Sequence, residues 1–257
     1  MAEFYGEGDC PYYTLINDGV KFKEYVGVIQ IGELTIEVLP KTDKQGEKKE
    51  EQDKWRSVLI DMLRKSGILK VAAPTSSNLS IRRNNILDLY FELFLSEIER
   101  LLHEGLIKKY RKAESNLSSL KGKLSFSKHI AHNSVHQERL YCEYTTYDVH
   151  HGINQILYKT LKLLSRINTS PSLYSRIGNL LLNFPEMDDL KVTETNFKKI
   201  TYDRKNVRYK DALNIAELLL LNYHPDVKSG KRHILALMFD MNRLWEKYVF
   251  SQLYPLT

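Results

Sequence analysis

Apolar residues recur along this chain with two different periods. From Tyr25 to Leu39, YVGVIQIGELTIEVL sets Val26, Val28, Ile31, Leu34, Ile36 and Val38 in near alternation, with IGE between two runs. Period two around a turn signal predicts a β-hairpin, stopped by Pro40. A charged run from Lys41 to Lys54 follows, and then Trp55, Val58, Leu59, Met62 and Leu63 take helical spacing, predicting a short amphipathic helix that Gly67 ends. Residues 71–85, VAAPTSSNLSIRRNN, are small, polar and Pro-containing and mark a candidate boundary. Beyond them Ile86, Leu89, Tyr90, Leu93, Phe94, Ile98, Leu101 and Leu102 make the wide apolar face of a long core helix, with Gly105 at its C-terminal end.

The period then shortens again. IKKYRKAESNL and KGKLSFSKHI read as strands separated by turn residues, and RLYCEYTTYD, Arg139 to Asp148, reads as a third, rich in Tyr and Thr. Helical spacing returns in Gly152–Ile167, Ser172–Phe184, Arg208–His224 and His233–Tyr254, with Pro171, Pro185 and Pro225 in the gaps. The pattern predicts an α+β protein. A small N-terminal β-rich module with one helix covers 1–75, and a helical bundle covers 76–257, interrupted by a projecting β-hairpin finger at about 106–148.

Composition narrows the class. With 42% hydrophobic and 11% aromatic residues in 257, the chain can bury a sizeable core. Cys10 and Cys142 are far apart and belong to no metal-ligand spacing, and no stretch reaches the roughly eighteen apolar residues of a membrane span. Together with a leaderless N-terminus this favours a cytoplasmic protein. The net charge of +6 favours an anionic partner without specifying a site.

Chemistry is sparse. There is no phosphate-binding glycine loop, nucleophile turn or HExxH helix, so no catalytic residue is assigned. His129, His132 and His136 would share a face if helical, yet the local pattern is not helical and no acid or Cys stands among them; they read as loop histidines with no metal assigned. His150 and His151, ahead of a helix, read as polar cap or surface groups. Asp189-Leu190-Lys191, with Asp148 upstream, has the form of a nuclease (D/E)xK element, but it follows NFPE between helices and reads as a solvated loop. Lys108, Lys109, Arg111, Lys112, Lys121, Lys123 and Lys128, interleaved with Tyr110 and Phe126, stand on the β excursion. They suit a ribbon that tracks phosphates and stacks on bases, a solvated ribbon whose lysines guard its edges, or a finger that docks into another protein.

The order of segments supplies what single motifs do not. GVIQIGELTIEVLPKTD, LLHEGL, YRKAESNLSSLKGKLSF, YDVHHGINQILYKTLKLL, the FPEMDD to AELLL region and LMFDMNRLWEKYV together resemble the McrC subunit of McrBC-type, modification-dependent restriction systems. Within LKGKL, Gly122 and Lys123 match the family's L-x-G-(R/K)-(I/L) centre. Asn154 matches the Asn that precedes an Ile/Leu-rich helix. Arg208 and Tyr209 match an Arg-Tyr helix opening, and Asp240, Met241, Asn242, Trp245 and Glu246 match a D-M-N-x-L-(F/W)-E helix. The resemblance implies a hexameric, McrB-like AAA+ GTPase ring as partner, with GTP and Mg2+ held there and no cofactor in this chain. It implies that a finger drawn from Lys108, Lys109, Tyr110, Arg111, Lys121, Gly122, Lys123 and Lys128 enters the ring and stimulates GTP hydrolysis, and that DNA is reached through the complex. The family continues beyond this last helix into a PD-(D/E)xK nuclease domain, whereas the sequence stops at Thr257. The nuclease is then expected from a longer gene or a separate polypeptide, and this chain alone is not expected to cut DNA. A stand-alone nucleic-acid-binding module built on the basic ribbon is the alternative.

Overall fold

The computed structural model describes residues 12–40, 49–68, 85–136, 138–225 and 233–254. The candidate boundary at 71–85 therefore lies almost wholly outside the described residues. Two strands, β1 (Tyr13–Ile16) and β2 (Gly19–Phe22), pair as a small ribbon. The predicted hairpin is present as β3 (Tyr25–Ile31) and β4 (Leu34–Val38), turning at Gly32, whose φ of 59° suits glycine. Helix α1 (Lys49–Lys65) follows, then α2 (Ile86–His103), whose N-terminus Asn85 caps by accepting a hydrogen bond from the Asp88 amide at 2.7 Å.

Next come β5 (Lys109–Leu117), β6 (Lys123–Leu124), α3 (Phe126–Asn133) and β7 (Leu140–Asp148). The chain continues through α4 (Gly152–Ile167), α5 (Pro171–Asn183), α6 (Glu194–Lys198), a 3-10 turn at Val207–Tyr209 and α7 (Lys210–Leu221). It ends with β8 (Tyr223–Pro225), β9 (His233–Asp240) and α8 (Met241–Leu253). Helices and small antiparallel sheets thus share one chain, and the class is α+β.

The central sheet has the order β4-β3-β9-β8, so the hairpin near the start of the chain is closed by strands from its far end. This corrects the reading of His233–Tyr254 as one helix: its first third is a strand. ILALMF, residues 234–239, is a continuous apolar run, which fits a strand covered on both faces as well as a buried helix, and periodicity cannot separate the two. Asp240, where the strand ends, caps α8 by accepting from the Arg243 amide at 2.9 Å. The tail of the predicted Arg208–His224 helix is likewise the edge strand β8. Gly27 sits between β4 and β9 with φ 141°, and a Cβ there would lie 2.0 Å from the Leu237 carbonyl oxygen, so only glycine lets the strands approach.

The core lies where α7 packs on both α2 and α4, and where α2 and α7 meet this sheet. Tyr90, Phe91, Phe94, Leu95, Ile98 and Leu101 of α2 are all almost fully buried. At about 1.5–3 kcal/mol for each large apolar side chain removed from water, that helix is the principal anchor of the fold. Two polar links tie the layers. Gln30, itself buried, donates to the Ile167 carbonyl at 2.7 Å and joins β3 to the end of α4. Glu37 accepts from Arg56 at 2.6 Å and from the Ile86 amide at 2.6 Å, which joins β4, α1 and the start of α2.

The candidate finger and its root

The finger is the three-stranded sheet β5-β7-β6 carrying α3, and these elements pack chiefly against one another. Strands β5 and β7 pair without interruption from Lys109 opposite Asp148 to Leu117 opposite Leu140. Only Lys123 and Leu124 of the second predicted strand pair, with Glu143 and Cys142. The rest of KGKLSFSKHI is helix α3, a correction with a clear cause. Phe126 and Ile130 lie four apart, and after the Ser125 amide bonds the Tyr141 carbonyl the chain leaves the ladder and coils against β7.

The helix is held to the sheet by polar and aromatic contacts. Asn133, buried, exchanges two hydrogen bonds with Asn116 at 2.7 and 2.8 Å, and the His132 ring stacks on Tyr141 with centroids 5.2 Å apart. His129 faces Asn133 at 3.0 Å. His129 and His132 are therefore helical residues and not loop histidines, while His136 lies beyond the helix beside Glu138. Gly122 turns the chain at φ 71°, and a Cβ there would sit 2.4 Å from the Glu143 carbonyl oxygen, so this glycine is a steric requirement of β6 meeting β7.

Three of the finger's seven predicted cations are engaged within the finger. Arg111 pairs with Asp148 at 3.0 Å, Lys128 pairs with Glu114, and the Lys121 ammonium lies 4.2 Å from the Tyr144 ring centroid. The Arg111 guanidinium holds the Asp148 carboxyl below the usual carboxylate range. Lys108, Lys109, Lys112 and Lys123 are exposed. Tyr110 and Tyr147 form an exposed ring pair, centroids 4.7 Å apart, and Phe126 and Ile130 make an exposed apolar ridge on α3.

Three residues from two separate parts of the sequence meet where the finger leaves the body. Tyr209, fully buried, accepts a hydrogen bond from the Ile107 amide at 2.8 Å. Asn154, also fully buried, donates to the Ile107 carbonyl at 3.2 Å and to the Val149 carbonyl at 2.8 Å. Arg208 donates to the Glu104 carboxylate at 2.8 Å and to the Gly105 carbonyl at 2.5 Å, and its own carbonyl accepts from Arg100 at 2.8 Å. Gly105, at φ 83°, makes the turn from α2 toward β5.

His151 completes this root, though the sequence marked it only as a cap or surface group. Its Nε2 lies 3.0 Å from the Ile107 carbonyl oxygen, which can only accept, so Nε2 carries the proton. The 3.2 Å between Nε2 and the Asn154 amide nitrogen is then two donors sharing one acceptor. Burial pushes the His151 imidazole below its ordinary pKa. An HH pair before a helix start is a weak signal, and its partner Ile107 is 44 residues away.

The remaining predicted residues lie elsewhere. Asp240 caps α8, Asn242 donates to Glu24 at 2.5 Å, and Glu246 is exposed, so this set shapes the β9–α8 corner and not the root. Asp189 stands in the α5–α6 loop, largely exposed and paired with Lys159 at 2.9 Å. Among the described residues no three His, Cys, Asp or Glu side chains converge as a metal site, and no helix is long and apolar enough to cross a membrane.

Comparison with known proteins places this geometry. The family described as McrBC 5-methylcytosine restriction system component matches residues 20–256. No curated protein sequence matches the chain. Among solved structures, the fold is similar to a chain of the Thermococcus gammatolerans McrBC complex, with TM-score 0.65 and 20% identity, covering 91% of this chain and 67% of that one. It is similar also to a chain in the refined half-complex from a tetradecameric assembly of Thermococcus gammatolerans McrB AAA+ hexamers with bound McrC. There the TM-score is 0.67 at 20% identity, covering 93% of this chain and 55% of that one.

Proposed function

We propose, from the premise that this chain belongs to the family of McrBC 5-methylcytosine restriction system components, that it is the McrC-like subunit of a restriction complex. In this reading the finger of β5, β6, β7 and α3 seats in the central pore of a hexameric McrB-like AAA+ GTPase. It stimulates GTP hydrolysis there, and the turnover is linked to DNA cleavage by a PD-(D/E)xK nuclease domain that the described residues do not contain. GTP and Mg2+ belong to the partner's sites. The family match over residues 20–256 carries this reading.

The finger's chemistry supports a protein partner over a phosphate track. Arg111, Lys121 and Lys128 are occupied by Asp148, Tyr144 and Glu114, which leaves fewer cations to release counterions from nucleic acid. The exposed Tyr110, Tyr147, Phe126 and Ile130 offer apolar contact that a protein wall can cover. Hydrolysis of GTP is limited by positioning the attacking water, so a subunit can accelerate it by moving one group in the partner's site, without chemistry of its own.

The test is a GTPase titration with a McrB-like AAA+ GTPase as the partner. The expected result is saturable stimulation that Gly122→Ala abolishes. Absence of stimulation, with tight and salt-sensitive DNA binding by the isolated chain, identifies a nucleic-acid-binding module instead. Mg2+-dependent cutting lost in Asp189→Ala identifies a nuclease.

A further inference from the structure

The finger joins the body through two chain crossings, residues 105–108 on entry and 148–150 on return, and one side chain touches both. The two hydrogens of the Asn154 amide go to the two legs, one to the Ile107 carbonyl and one to the Val149 carbonyl. Asn154 belongs to the first turn of α4, where helix-serving side chains usually turn back to the helix's own amides, yet its amide points away to the legs. His151 adds a second donor to Ile107, and Tyr209 takes the Ile107 amide proton, so both backbone polar groups of that residue are held by side chains from the body. Ile153, Ile156 and Leu157, which flank Asn154 on α4, are buried, so the clamp is mounted on the hydrophobic core.

The side chains nearest to Asn in size or chemistry do not replace it at position 154. Asp has no hydrogens to donate, Leu has the shape without the polarity, and Gln is one methylene too long for a site with no exposed surface. We propose that Asn154 and His151 are positioning residues that lock both legs of the finger to α4 and set the angle at which it leaves the body. A finger held at one angle is preorganised: it enters a partner without the ordering cost that a loose hinge brings to binding. This consequence rests on the proposed function; the locked angle does not.

Nitroxide labels at Ser127→Cys on α3 and Ser175→Cys on α5, in a Cys10→Ser background with buried Cys142 left in place, measure the angle in the isolated chain. Wild type should give one narrow distance distribution. His151→Leu and Asn154→Asp should broaden it, and His151→Gln, whose amide nitrogen falls near the lost Nε2, should restore it. Should Asn154→Asp fail to fold, the Leu and Gln pair at His151 decides alone. A broad wild-type distribution, or His151→Leu as narrow as wild type, overturns the inference, and general loosening predicts no rescue by Gln. With the AAA+ partner, the His151→Leu concentration for half-maximal GTPase stimulation should rise about tenfold while saturated turnover holds. An unchanged half-maximal concentration in a broadened finger overturns preorganisation. Broadening rescued by Gln, with no GTPase response from any form of the chain, keeps the locked angle and removes the proposed function.

Discussion

The body and the finger of this protein are stabilised in opposite ways. The body buries whole helix faces: α2 is enclosed almost all round, and β3 and β9 are covered on both sides. The finger has Cys142 and Asn133 as its fully enclosed residues among those described, and it is held by strand pairing, ring stacking and ion pairs in water. A hydrophobic core tolerates a lost surface contact, whereas a thin ribbon depends on each turn and on its anchorage. The difference separates stability, which belongs to the body, from the recognition that the proposed function assigns to the finger.

The largest break in that comparison is Gly27→Ala. A methyl group 2.0 Å from the Leu237 carbonyl oxygen must push β3 from β9, on a backbone whose φ of 141° disfavours any side chain. We expect a loss of about 3 kcal/mol or more, read as a lower urea midpoint, with GTPase stimulation lost because the chain unfolds. Gly122→Ala makes the same kind of collision, 2.4 Å from the Glu143 carbonyl oxygen, but in the finger. There the melting of the body should be nearly unmoved while stimulation is lost; a cooperative loss of the whole fold would show that the finger is part of the core.

Tyr209→Phe lies between the two regions. It leaves the packing in place and strands the Ile107 amide, so we expect about 1–3 kcal/mol in urea unfolding and faster hydrogen exchange at Ile107 than in α2. Acid sharpens the same boundary. Burial holds His151, His224 and His233 below the ordinary imidazole pKa, so the unfolded chain takes up protons first. Stability should be full above about pH 6.5 and decline as pH falls below it. Urea midpoints at pH 7.5 and pH 5.5 measure the decline, and His151→Gln should make it shallower. The smallest effect belongs to Arg111→Gln. The Arg111–Asp148 pair is solvent-exposed and worth less than about 1 kcal/mol. The lowered Asp148 pKa adds stability that is present at neutral pH and lost as pH falls through the ordinary carboxylate range. Wild type and Arg111→Gln should therefore converge in strong acid.

Where the sequence could be read, local physics had decided the outcome. The hairpin at Tyr25–Val38 and the helices at Ile86–His103 and Gly152–Ile167 follow from uninterrupted periods of two or 3.6, and Gly105 and Gly122 stand where the chain must turn with positive φ. The strand at His233–Asp240 was hidden because a run apolar on every side has no period, and α3 because eight residues carry too few turns to outweigh strand-like neighbours. Resemblance singled out Asn154, Arg208 and Tyr209 without giving them a shared purpose. His151 carried almost no signal at all.

By itself, then, the sequence determined the α+β class, the helical core and a β excursion between helices, since each depends on residues within a turn or two of one another. Only the tertiary structure decided that the first hairpin closes on the last strand, that Arg111, Lys121 and Lys128 of the finger are engaged within it, and that Asn154, His151 and Tyr209 hold Ile107 from 47, 44 and 102 residues away. A backbone hydrogen bond to a distant side chain has no period and no spacing. It exists only once the core has brought the two ends together.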